Sequence, residues 1–104
     1  MACQGTLSAQ IEILPSDVID SLIKRSRADS LSMYERANLA LRARDLARAR
    51  NDLDQSYQAS LSAGIAYIRI SAYDKSLASF QDAFITAQEQ EDDRRQAESS
   101  FYIG

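Results

Sequence analysis

The side chains able to do chemistry in this chain are mostly carboxylates and guanidinium groups. Asp17 and Asp20 stand together in a helix-forming stretch. Acid–base catalysis would need such a pair held in a cleft, and nothing around them suggests one. The acids of EQEDD, residues 89–93, lack the spaced oxygen ligands and the glycine of a calcium loop, so they are expected to form a solvated helix end. Histidine is absent, which removes the commonest general base and metal ligand. Cys3 is the single cysteine, so neither an ordinary zinc site nor an internal disulfide is expected. No glycine-rich phosphate loop occurs either. The expectation is a non-enzymatic chain with no catalytic residue, no metal and no cofactor.

The arginines are clustered. Arg36, Arg42, Arg44, Arg48 and Arg50 lie between residues 35 and 50 against only Glu35 and Asp45, whereas residues 89–98 hold five acids against Arg94 and Arg95. A nucleic-acid-binding helix could use Arg42, Arg44, Arg48 and Arg50, with 44 and 48 on one face. Asp45, Asp52 and Asp54 dilute that field, and a net charge of −3 opposes the displacement of phosphate counterions. Solvated faces of opposite sign are the simpler reading, and no nucleic acid is expected as a partner.

These side chains must be positioned by helices. With 104 residues, 45% of them hydrophobic, three Gly and one Pro, the chain has the length of one domain and the composition of an all-α protein. Residues 1–14 are irregular and are expected to form a flexible tail. A helical domain is expected over residues 15–104. LPSD starts a first helix over 16–28, with acids in its first turn, where the helix dipole favours them, and Val18, Ile19, Leu22 and Ile23 on one face. A second helix over 32–50 carries Tyr34, Ala37, Leu41, Leu46 and Ala49. A third runs from 53 to 70 and a fourth from 73 to 89, each with apolar or small residues at a period near 3.6, and RRQAESSFYIG begins a fifth. Turn signals fall near 30, 51, 72 and 92. The short connections imply antiparallel neighbours. No apolar run approaches the ~20 residues of a bilayer span, and no leader-like segment opens the chain, so a cytoplasmic location without a membrane partner is expected, with Cys3 a spare thiol.

YDKSLASF, residues 73–80, repeats the pattern of YERANLAL, residues 34–41, and Ala63-Gly64 recurs as Ile103-Gly104. Gly64 and Tyr67 are followed by small Ser76, then Phe80 and Ala83. In this order the residues resemble the tetratricopeptide repeat, in a variant of about 40 residues with a charged turn in place of the closing proline. Ser60 stands where Trp is usual, and Ala63 replaces Leu. The resemblance covers residues 53–92 best, with 33–50 as a degenerate second helix of the preceding repeat and 93–104 as an unfinished first helix of the next. It implies an α-solenoid fragment of about five helices in antiparallel hairpins; a closed bundle of four or five helices is the alternative. It also implies that Gly64 permits a close helix crossing, that Tyr67 and Tyr73 fill the space around the turn, and that Phe80 and Leu41 plug the core.

For function, the resemblance implies a scaffold that binds a peptide or helix of a partner protein. The groove residues carried over by register are Gln58, Leu61, Ile65, Ile68 and Arg69 on the third helix, with Glu98 and Phe101 on the fifth. Leu61 and Ile65 stand where a terminal-carboxylate clamp would need Lys or Asn, which disfavours that mode. The alternative is a structural module that self-associates into a homo-oligomer through its C-terminal helix, where Phe101, Tyr102 and Ile103 form an apolar end.

Overall fold

Four interruptions divide the described residues into five helices: α1 (Ser16–Arg25), α2 (Met33–Ala49), α3 (Leu53–Arg69), α4 (Tyr73–Glu89) and α5 (Asp93–Ile103). They are described by a computed structural model covering residues 16–104; the tail expected over residues 1–14 lies outside the described residues. No strand occurs among the described residues. The breaks coincide with the four turn signals. α1 ends earlier than residue 28 because the Ser26 hydroxyl donates back to the Ile23 carbonyl at 2.5 Å, a local bond that competes with continued helix.

The helix starts are set by side chains that satisfy otherwise unpaired N–H groups. Ser32 and Glu35 form a reciprocal capping box at α2. Asp52 accepts from the Gln55 N–H at α3, and Asp92 accepts from the Arg95 N–H at α5, both at 3.0 Å. Ala72 stands at the equivalent place before α4 and offers no side-chain cap.

The three later turns share one geometry. Asn51, Ser71 and Glu91 have φ of 60°, 60° and 55°. The N–H of the next residue then donates to a carbonyl five positions back: Asp52 to Ala47, Ala72 to Tyr67 and Asp92 to Ala87, at 2.9, 2.9 and 3.0 Å. This is the Schellman closure of a helix end, and it recurs every 20 residues, at positions 51, 71 and 91.

Consecutive helices pack antiparallel. α3 is the hub: besides α2 and α4 it touches α1, and it is bonded to α5 through Tyr57–Glu98 and Asp54–Arg95. On the other side, Arg44 and Arg48 of α2 reach Asp82 of α4 at 3.0 and 3.6 Å. α1, α3 and α5 therefore form one layer and α2 and α4 the other, within overall extents of 50 × 34 × 21 Å.

The core is built from small residues that let helices approach. Ile19 and Ile23 of α1 pack on Ala43, Ala47 and Ala59. Ala37 and Ala40 pack on Ala63, Ala66 and Tyr67. Tyr57 and Leu61 pack on Phe80, Ala83 and Ala87. Where α3 crosses α4, Gly64 lies under the Phe80 ring, and the buried Ser76 hydroxyl donates to the Gly64 carbonyl at 2.9 Å.

Several expected core positions are corrected. The buried face of α2 is the alanine set 37, 40, 43 and 47; Leu41 is half-buried beside it, while Tyr34 and Ala49 are exposed. Tyr73, expected to fill the turn, is exposed as well, with its hydroxyl 3.5 Å from the Ser71 hydroxyl. The reason is that Tyr67, packed with Ala37, Ala40, Ile70 and Ala72, already fills the space between the start of α2 and the end of α3. Val18 also faces outward.

Candidate functional site

α3 carries five of the expected contact residues, and the fold separates their roles. Leu61 is only 6% exposed and packs within the α3–α4 core, so its expected role in contacting a partner is corrected to packing. Ile65, one turn on, is half-buried and packs against the same cluster while also lining a cavity of about 230 Å³. Arg69 lines that cavity from the exposed end of α3. Ile68 is 44% exposed on the surface. Gln58 lines a second cavity of about 250 Å³ between α1 and α3. The two cavities share Arg27, which donates from Nε to the Ser62 hydroxyl at 2.9 Å and from Nη2 to Gln58 Oε1 at 3.2 Å.

The first cavity is walled by guanidinium groups. Arg36 enters it from α2 with its side chain only 10% exposed. One of its Nη groups lies 3.3 Å from Asp29, whose own side chain is fully exposed, and its Nε is buried without a hydrogen-bond partner among the described residues. Sequence reasoning assigned Arg36 to a solvated basic run and did not single out Arg27. The only signal for Arg36 was its place immediately before Ala37 on the buried face of α2.

The two α5 residues lie elsewhere on the same layer. Glu98 accepts from the Tyr57 hydroxyl at 2.5 Å, with the Arg95 carbonyl at 3.1 Å from the same hydroxyl. Burial, and then the bond to Glu98, push the Tyr57 phenol well above its ordinary pKa. Arg95 lies 4.8 Å from the centroid of the Tyr57 ring, a cation–π contact, and donates to Asp54 at 2.6 Å and to Gln90 at 3.0 Å. The hydrogen bonds from Arg95 and Gln90 hold the Asp54 carboxyl below the usual range. Glu98, an exposed residue, is thus engaged by Tyr57 at the surface of α3. Phe101 is 80% exposed, because its neighbour Tyr102 takes the inward place, stacked on Phe80 at 4.7 Å and 9°.

The carboxylates considered for acid–base work have separate surroundings. Asp20 accepts from the Gln55 side-chain amide at 2.9 Å, and that amide also binds the Ser16 carbonyl at 2.7 Å, tying α1 to α3. Asp17 is exposed. Among the described residues no group of His, Cys, Asp and Glu is arranged to hold a metal ion, and no helix is long and apolar enough to cross a membrane. Comparisons of the chain with protein-family models, with curated proteins and with solved structures gave no match.

Proposed function

We propose that the chain is a non-catalytic interaction scaffold that docks a peptide or helix of a partner protein along the layer formed by α1, α3 and α5. The observation that carries this reading is that Ile65 and Arg69 of α3 line one cavity and Gln58 lines an adjacent one, while Ile68 is 44% exposed. Apolar side chains flanked by polar and charged ones suit a segment whose bulky residues supply affinity while the charges set register. A tetratricopeptide-like solenoid is supported by the recurring turn, by Gly64 under Phe80 and by Ser76 bonded across the helix crossing. The pairing of Arg44 and Arg48 with Asp82 weakens the nucleic-acid alternative, since those charges meet a carboxylate within the fold.

The test is a pull-down from source cells followed by calorimetry with the recovered partner. Ile65→Asp is expected to abolish binding while helical content is retained. Arg42→Glu, on an exposed position of α2, is expected to leave binding intact. Arg44 is unsuitable for that control, because it holds Asp82. Loss of binding in the α2 variant with retention in Ile65→Asp would move the site to α2.

A second reading is self-association through α5, favoured by the exposure of Phe101 and of Leu77 and Ile103. Sedimentation that depends on protein concentration, and loses that dependence in Phe101→Ser, would select it.

A further inference from the structure

We infer that the cavity between the ends of α1 and α3 and the start of α2 is a receptor for a side-chain carboxylate, so that the docked segment carries an Asp or Glu beside an apolar residue. The inference rests on the peptide-docking reading and assigns the partner's chemistry. Three guanidinium groups, Arg27, Arg36 and Arg69, line this one cavity against the single carboxylate of Asp29. Each guanidinium presents five N–H donors in a rigid fork matched to carboxylate oxygens. Arg27 uses its described bonds on neutral acceptors, Ser62 and Gln58. Arg69 has no ion pair among the described residues.

Arg36 is the most informative of the three. A side chain nine-tenths buried has lost most of its hydration, and burial of a cation is costly without full pairing. Among the described residues its pairing is one contact to an aspartate that stands in solvent, and its Nε has no acceptor. A carboxylate entering beside Ile65 would supply the missing acceptor strength, with Arg27 closing on it from the turn after α1 and Arg69 from the end of α3. Ile65 on the cavity wall gives the apolar neighbour of that acid a surface to cover. The volume of about 230 Å³ admits a carboxylate-bearing side chain and little else of the segment.

The experiment follows the arginine Nε–Hε and backbone amide resonances of the full chain by NMR. The probes are acetyl-Leu-Glu-Leu-amide, acetyl-Leu-Gln-Leu-amide and inorganic phosphate, each titrated separately. The glutamate peptide is expected to shift the Arg27, Arg36 and Arg69 side chains and to bind about tenfold more tightly than the glutamine peptide. That preference is expected to disappear in Arg69→Gln and in Arg27→Gln, substitutions that leave the buried Arg36 in place, and to shrink with added salt. Equal affinity of the two peptides would overturn the carboxylate receptor, and if both still shifted Ile65 and Ile68 the docking reading would stand. A preference that survives in both arginine variants would also overturn it. Phosphate acting at lower concentration than the glutamate peptide would replace the acidic segment with a free anion. Failure of both peptides to shift any of these residues would remove the receptor together with this docking face.

Discussion

Gly64 and Phe80 are in such close apposition that a Cβ on Gly64 would stand 2.5 Å from Cε1 of the Phe80 ring. The ring has no room to retreat, since Phe80 is 1% exposed and carries Tyr102 on one face. Gly64→Leu is expected to cost a few kcal/mol by overpacking, on the order of 1–3 kcal/mol or more. Gly64→Ala should also destabilise despite the better helix propensity of alanine, worth about 1 kcal/mol. Adding Phe80→Leu should recover part of that loss, and chemical denaturation of the four chains in the cycle measures the coupling. Additive effects would show that the two residues do not constrain each other.

The buried Tyr57 phenol, bonded to Glu98, gives the fold an alkaline limit. Its proton is held more tightly in the folded chain than in the unfolded one, where the ordinary value is 10.0. Its contribution is therefore full below pH ~10 and declines as the pH rises beyond it toward the elevated folded value. Thermal melts between about pH 8 and pH 12 should show a falling midpoint above pH ~10, and Tyr57→Phe should make the decline shallower. A variant with an unchanged alkaline slope would assign the effect to other groups.

α4 lacks a cap that its neighbours have. Asp52 and Asp92 accept from the first-turn N–H groups of α3 and α5, whereas Ala72 accepts none. Ala72→Asp keeps the Cβ that packs near Tyr67 and adds the missing acceptor, so a gain of about 1 kcal/mol is expected. Asp52→Ala should lose a similar amount. In a domain of this size that corresponds to roughly 4–8 °C in the thermal midpoint, which calorimetry resolves.

Phe101 and Tyr102 are adjacent in sequence and opposite in consequence. Phe101→Ser removes a side chain that is 80% exposed and should change stability by no more than about 0.5 kcal/mol. Tyr102→Ala removes the ring stacked on Phe80 and should cost at least the roughly 0.5–1.5 kcal/mol of such a pair. Denaturant melts of the two variants distinguish these outcomes.

The helices were legible because their breaks are local: the Ser32, Asp52 and Asp92 caps and the residues around 51, 72 and 92 act within a few positions of themselves. Gly64 and Ser76 were legible through the ordered set Gly64, Tyr67, Ser76 and Phe80. Side-chain direction at the helix ends was not. Tyr34 and Tyr73 have the size and spacing of core residues, yet both are exposed, and the tyrosine that packs beside Ala37, Ala40 and Ala72 is Tyr67. The arginine-lined cavity was hidden for a different reason. Arg27, Arg36 and Arg69 lie in the turn after α1, on α2 and on α3, and within its own stretch of sequence each is an ordinary charge near a helix end or on a basic face. Arg44 looked like surface charge because its partner Asp82 lies 38 positions away.

The central place of α3 also sets an order of breathing. α1 leans on α2 and α3, and α5 leans on α4 and is tied to α3 by Tyr57–Glu98 and Asp54–Arg95, so either end helix is expected to peel away while the middle three stay closed. Their amides should exchange with solvent through cheap partial openings, and those of α3 only through opening of the whole chain. A segment lying across α1, α3 and α5 would act as a strap over helices that otherwise come loose separately. Part of its binding energy would then appear as slower exchange along the whole of α1 and α5, beyond the residues it touches.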